Sequence, residues 1–471
     1  MGLLRLFLAL SVVIHHLPQR SFAWLNAGVA VLVFFIISGF YMALVINERY
    51  SKMEFWHWRF YLSRVYRIFP AYYAVLSFAL IWFAIIKSPS VFSENYDLGF
   101  WRQLGLILPN LFIFGQDMFQ AILMTNAYEK HNIISDSFFA FLGLGFFQNQ
   151  FMIIGQAWSL AEELVFYALA PFFVLKRSRI LAILAISLSI RALLQAQSNS
   201  FPPIVWGYWF FPSTISFFCL GALGYFGYKK ISCFNWGKTV GVMVWGTATI
   251  LVIYRLIHGG ILYEGSDCDS VNHWIFFIGV AICLPFIFLA SKDSYFDRLL
   301  GEFSYPLYLV HGFVIGILFS RFGLKPGSLV FEALVILCSV GVSALIYICV
   351  DYPVDRYRYH IETASLFSLL RQTYLMVTMI LVIGFVSNTR TQFLAPHPLL
   401  TQERPSLYGK AKSMPPILVE VVGKFNIVSF NNLYYAIPHG QGVDWNHDNV
   451  SELHGVLTGS SQNEIITRIQ H

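Results

Sequence analysis

Predominantly apolar runs of about twenty residues recur along this chain, and each is long enough to cross the ~30 Å hydrocarbon core of a bilayer as an α-helix. Inside lipid every backbone N–H and C=O must be paired within the protein, so such runs have to be helical. They are Leu4–Leu25, Ala27–Ile46, Phe69–Ile86, Trp158–Leu175, Ile180–Ala196, Tyr208–Tyr228, Thr239–Ile257, His273–Ala290, Phe303–Ser320, Ser328–Val350 and Tyr374–Val386. Composition agrees. Only 12% of the 471 residues are charged and 57% are hydrophobic, where ordinary soluble domains carry about 25% charge. In water such a chain would expose patches that aggregate; in lipid the same surface is solvated. The 46 Phe suit lipid contact, and Trp and Tyr suit the interfaces.

Basic residues orient the spans. The segment Asn47–Arg67 carries Arg49, Lys52, Arg59, Arg64 and Arg67, which assigns it to the cytoplasm. Lys176, Arg177 and Arg179 mark a second cytoplasmic turn, Lys229 and Lys230 a third, Lys292 and Arg298 a fourth, and Arg356, Arg358 and Arg371 a fifth. These turns alternate correctly with the spans. The stretch Ser88–Gly155 must then cross the membrane an even number of times, zero or two. With zero crossings there are ten helices up to Val350 and an extra one at Tyr374–Val386. The N-terminus is then cytoplasmic and the tail lies outside. The net charge of +6 is read as this positive-inside bias, not as a nucleic-acid surface.

The six cysteines form no C-x-x-C pair and lie mostly in apolar runs, so neither a metal site nor a disulfide framework is expected. The first apolar run has no small-residue cleavage site and reads as a retained helix. No internal repeat is visible, which counts against transporters built from repeated halves. The tail, Thr389–His471, is polar; Phe425–Phe430 and Asn432–Ile437 alternate like strands around an Asn431-Asn432 turn. The expected fold is an all-α polytopic membrane protein with about ten transmembrane helices and one extra helix. Its expected divisions are a transmembrane domain over 1–358, a linker with the extra helix over 359–388, and a soluble tail over 389–471 with a small α+β appendage.

Ionisable residues inside bilayer helices cost about 2.5–3.5 kcal/mol each on insertion scales, so each asks for a reason. His15 and His16 lie in the first run, and Arg5 precedes His16 by eleven residues. That is about three helical turns and ~16 Å, so both share a face. A neutral imidazole there is a candidate general base, the alternative being a packing hydrogen bond. Ser38 and Gly39 permit close helix approach, with substrate lining as the other reading. Arg64 and Arg67, at i and i+3, share a face and could grip phosphates bidentately or merely anchor the helix. Trp158-Ser159-Leu160-Ala161-Glu162-Glu163 places two carboxylates one turn into a span, and Glu163 faces the same way as Tyr167. Tyr308 and His311 lie one turn apart. Asp351, at a cytoplasmic helix end, reads as structural.

The ordered set R-x10-H (Arg5, His16), FF-x-I-SGF (Phe34–Phe40), R-x-x-R-I-x-P (Arg64–Pro70), W-S-L-x-x-E-x-x-F-Y (Trp158–Tyr167) and S-Y-x-x-Y-L-x-H (Ser304–His311) resembles the acyltransferase 3 family of membrane proteins, over about Met1 to Arg358. The resemblance implies ten helices and transfer of an acyl group, commonly acetyl, from cytoplasmic acetyl-coenzyme A to a glycan hydroxyl. It implies no permanently bound cofactor, with acyl-coenzyme A as co-substrate. The expected partners are that donor, a glycan acceptor and the lipid bilayer, with no nucleic acid, in a bacterial cytoplasmic membrane. By the same resemblance His16 and Glu163 are the candidate catalytic residues. Arg64 and Arg67 are the candidate donor-binding pair, and Arg5, Ser38, Trp158, Tyr167, Tyr308 and His311 are supporting. Many relatives carry a soluble esterase-like domain after an extra helix; this tail is too short for one and has no G-D-S motif. The rival class is a proton-coupled transporter or flippase of a glycan or lipid precursor, in which buried His and Glu relay protons.

Overall fold

The computed structural model describes residues 1–17, 25–85, 107–128, 152–198, 201–233, 239–241, 271–322, 327–361 and 371, and four strands between 417 and 459. The chain divides into two compact units, Met1–Leu394 and Ala395–His471.

The first unit is helical. Its principal helices are α1 (Gly2–His15), α2 (Ala27–Glu48), α3 (Trp56–Ile85), α4 (Gln116–Tyr128), α5 (Trp158–Phe173), α6 (Arg177–Ala196), α7 (Phe211–Ile231), α8 (Val271–Ser291), α9 (Tyr295–Phe322), α10 (Leu329–Ile346) and α11 (Tyr352–Ile361). A π-helical turn, Tyr347–Asp351, joins the last two. Among the described residues six segments are long and apolar enough to cross a membrane: Ala27–Lys52, Trp56–Trp82, Arg177–Ala196, His273–Ser291, Tyr295–Phe319 and Leu329–Arg358. The protein is therefore a multi-pass membrane protein. Nearly all of Thr239–Ile257 and all of Tyr374–Val386 lie outside the described residues, as does most of Ser88–Gly155. On α6 and α10 large apolar side chains such as Ile186, Leu193, Leu337 and Leu345 point outward, the surface that lipid covers.

Several helices begin earlier than hydropathy predicts. α3 starts at Trp56, not Phe69, and takes in Arg59, Arg64 and Arg67. α9 starts at Tyr295, not Phe303, and takes in Asp297, Arg298 and Glu302. Hydropathy reports what lipid tolerates, whereas a helix ends where its backbone pairing ends. Neither Trp56–Phe69 nor Tyr295–Leu300 contains Gly or Pro, and the Ser294 hydroxyl accepts from Asp297 N at 3.2 Å, a capping bond. At α1 the deviation runs the other way. The helix ends at His15 and His16 is its C-cap, so His16 is not in the interior of a Leu4–Leu25 helix. Leu17 precedes Pro18, and the proline ring disfavours a helical residue before it.

Lipid tails are as apolar as leucine, so helices in a membrane associate through close packing, which small residues permit. Gly39 of α2 lies against the Phe218 carbonyl of α7, and Gly221 of α7 lies against the Ile36 carbonyl of α2; a Cβ at either would collide with backbone. Gly2 of α1 is similarly pressed against Asp297 and Gly301 of α9. The Asp297 carboxylate accepts from the Gly2 N–H at 2.8 Å and the Leu3 N–H at 2.9 Å. It thereby pairs two of the amides that a helix start leaves unsatisfied.

In the second unit four antiparallel strands form a meander, β1 (Ile417–Val422), β2 (Phe425–Phe430), β3 (Leu433–Pro438) and β4 (Leu457–Gly459). The expected strand at Phe425–Phe430 is present, and the expected Asn432–Ile437 is displaced by one residue. The register between β1 and β2 shifts between Leu418 and Glu420, as at a β-bulge. The helical part expected of this appendage falls outside the described residues.

Candidate active site

A cavity of about 400 Å³ opens among α1, α2, α3, α5, α8, α9 and α11. One wall is a single face of α2: Val31, Phe34, Ser38, Tyr41 and Val45, which follow the helical three-to-four-residue spacing. The cavity is strongly basic. Arg5, Arg64, Arg67, Lys292, Arg298 and Arg358 line it, against the carboxylates of Glu163, Asp297 and Glu302.

These cations are not equivalent. Arg67 is ion-paired to Glu302 and lies 3.7 Å from Asp355, and Arg358 pairs with Asp355 at 3.1 Å. Arg5 and Arg64 make no ion pair among the described residues. Arg64 is held by softer contacts: its guanidinium lies 5.8 Å from the ring centroids of Phe60 and Tyr167 and 4.0 Å from the Met42 sulfur. Its Nε is buried without a hydrogen-bond partner. Arg64 and Arg67 do share a helix face and a cavity, but Arg67 already has a carboxylate to hold.

Deeper in the cavity Glu163 of α5 accepts from two hydroxyls. Ser38 Oγ donates to Glu163 Oε1 at 2.7 Å, and Tyr167 OH donates to the same oxygen. The neighbouring acid is different. Glu162 is wholly buried, does not line the cavity, and accepts from Thr214 of α7 at 2.8 Å. The helical turn sends the two consecutive carboxylates to different partners, so only Glu163 meets the cavity. Farther along, Ser159 and Tyr308 share a hydrogen bond of 2.8 Å, and Tyr308 also donates to the Gln156 carbonyl at 3.1 Å.

The sequence model of the acyltransferase 3 family, described as an acyltransferase domain, matches residues 1–348. The chain belongs to the acyltransferase 3 family. It is a membrane acyltransferase. Curated proteins and solved structures offer no match. The motifs of this acyltransferase can now be located. Arg5 and His16 both face α9. Arg5 lies beside Gly301, where an added Cβ would come 3.7 Å from its Nη1, and the His16 ring lies 5.1 Å from that of His311. His16 itself is exposed, with Nδ1 2.8 Å from the Val12 carbonyl. His311 is 2% exposed and Nδ1 sits 2.7 Å from the Tyr308 carbonyl. Neither His16 nor His311 lines the cavity; Tyr308 stands between, with its ring 5.9 Å from that of His311. Trp158 packs edge-on against Tyr208 and Trp209 and is a wall residue, outside the cavity lining.

Glu302, Tyr305 and Arg358 also line the cavity; sequence reading assigned none of them a site role, Tyr305 standing only within the S-Y-x-x-Y-L-x-H motif and Arg358 only as a mark of a cytoplasmic turn. Tyr305 OH donates to the Ile68 carbonyl of α3 at 2.7 Å. Glu302 sits one residue before the expected start of its helix at Phe303, outside the apolar runs in which hydropathy singles out charges. Its link to Arg67 joins residues more than two hundred positions apart, a distance no local pattern spans.

Proposed function

We propose that this acyltransferase moves an acyl group, acetyl being the simplest, from cytoplasmic acyl-coenzyme A to a hydroxyl of a cell-surface or secreted glycan. On this reading the enzyme sits in a bacterial cytoplasmic membrane with its N-terminus inside. The observation that carries it is one cavity in which Arg5 and Arg64, cations without carboxylate partners among the described residues, adjoin the Ser38–Glu163–Tyr167 cluster. A coenzyme A donor brings several phosphates and a thioester. Guanidinium groups suit phosphate oxygens because their N–H forks match them. A carboxylate in hydrogen-bond reach of a hydroxyl suits acyl transfer, since a positioned base accelerates such steps by typically 10²–10⁴-fold.

The histidine pair supplies a second base. His16 accepts the proton of the acceptor hydroxyl; its ring lies tilted against that of His311, and its Nδ1 sits 2.8 Å from the Val12 carbonyl. The donor is a co-substrate, so no permanently bound cofactor is required. The acceptor is assigned to the glycans from the family resemblance. The test is direct. Purified protein is titrated with acetyl-coenzyme A, free coenzyme A is measured with and without candidate glycans, and the glycans of a strain lacking the protein are compared with those of its parent. Binding of the donor, glycan-dependent thiol release and loss of an O-acetyl signal support the reading. A protein that binds no acyl-coenzyme A and carries protons with a solute would instead be the transporter.

A further inference from the structure

We propose that Ser38 is an acyl-carrying nucleophile, so that transfer proceeds through an acyl-serine ester formed inside the membrane. The inference rests on the acyl-thioester donor proposed above and goes beyond it.

Several hydroxyls line the cavity, and their hydrogen bonds separate them. Ser304 donates to the Gly301 carbonyl of its own helix. Ser159 is held by Gln156 and Tyr308. Ser291 donates to the Ile287 carbonyl. Among the described residues that line the cavity, Ser38 is the serine whose hydroxyl donates to a carboxylate, at 2.7 Å from Glu163 Oε1. That carboxylate is oriented in turn by Tyr167 OH. A hydroxyl within hydrogen-bond reach of a base, with the base fixed by a third group, is the arrangement of an activated nucleophile. The approach is open as well. Ser38, Tyr41, Met42 and Val45 lie along one face of α2 and all line the cavity; the seven helical steps from Ser38 to Val45 span roughly 10 Å at the helical rise. Arg64 touches Met42 and lies over the Tyr167 ring, which brings a positive charge to the region where an oxyanion would form.

The chemistry balances. Ser38 Oγ attacks the thioester carbonyl carbon while its proton passes to the Glu163 carboxylate. The tetrahedral intermediate collapses with cleavage of the C–S bond. The coenzyme A sulfur takes the proton from Glu163 and leaves as the thiol, with the acyl group esterified to Ser38. In the second half the acceptor hydroxyl attacks that ester and gives up its proton to the basic group beside it. The C–O bond to Ser38 breaks, that same proton is returned from the base to Ser38 Oγ, and the acyl ester is now on the acceptor.

The experiment uses the full chain in detergent, with acetyl-coenzyme A and no acceptor. Donor binding is measured first by titration. Thiol release is then followed at early times, and the protein is quenched and its peptides are analysed for acetyl. The expected result is about one equivalent of coenzyme A per protein and a hydroxylamine-labile acetyl group on the peptide holding Ser38. Ser38→Ala should bind the donor as wild type does but give neither thiol nor adduct, and Ser38→Cys should carry the acetyl as a thioester. Glu163→Gln should slow adduct formation by on the order of 10²-fold or more. Donor binding without an adduct at Ser38, or an adduct on His16 in its place, overturns the acyl-serine step and leaves the donor reading standing. Absence of donor binding in the wild-type protein overturns both.

Discussion

Two adjacent glutamates illustrate how much a single position decides. Glu163 faces the cavity with Ser38 and Tyr167, whereas Glu162 is turned into α7 against Thr214. Glu163→Gln keeps an acceptor for both hydroxyls but removes the base, so acyl transfer should fall by about 10²–10⁴-fold, read as the rate of glycan acetylation. Glu162→Gln should keep most of the transfer rate, because its amide oxygen still accepts from Thr214. Equal losses in the two variants would show that the cavity carboxylate has no special role. The arginines divide in the same way. Arg64→Lys retains the charge and loses the fork, so acetyl-coenzyme A should bind more weakly in titration. Arg67→Ala should lower thermal stability instead, by up to about 3 kcal/mol, the lower end of the cost of breaking a buried ion pair. It leaves the Glu302 carboxylate without its principal partner. His16→Ala should abolish glycan acetylation while donor binding persists, because His16 stands outside the cavity. Loss of donor binding in that variant would place His16 on the wrong side of the reaction.

Helix against helix, the α2–α7 crossing is set by Gly39 and Gly221, each pressed on the other helix's backbone. No side chain can move aside there, because the obstruction is a carbonyl. Gly39→Ala should therefore cost about 1–3 kcal/mol, the range for overpacking, seen as a lower unfolding temperature in detergent. It should also disturb Ser38, the next residue. Gly316→Ala is the control: an added Cβ there meets nothing within 4 Å, and the unfolding temperature should hold. A helix formed by continuous backbone pairing runs past the bilayer edge whenever nothing interrupts it. That is why α3 and α9 carry their charges on the same cylinders as their apolar residues. Arg67 of the one can then reach Glu302 of the other.

At the scale of the whole molecule, the cavity is lined entirely from the unit Met1–Leu394. A chain ending at Leu394 should therefore bind acetyl-coenzyme A with the affinity of the full protein, as measured by the same titration; weaker binding would assign part of the donor site to the tail. Charge scarcity and the run lengths alone establish a multi-pass helical membrane protein, because lipid leaves the backbone no alternative to internal pairing. The ordered motifs pointed to the family that the match over residues 1–348 shows, and the consecutive glutamates, paired arginines and Ser38 were all legible as candidates. Their partners were not. Sequence spacing relates residues on one helix, so it aligned Glu163 with Tyr167 and Arg5 with His16. Which cations keep their charge for a ligand depends on carboxylates brought from distant helices. Only the tertiary structure engaged Arg67 with Glu302, left Arg64 beside Tyr167, and brought Ser38 of α2 to Glu163 of α5. Side-chain chemistry is written in the chain, but whether a charge is spent or available is decided by what packs against it.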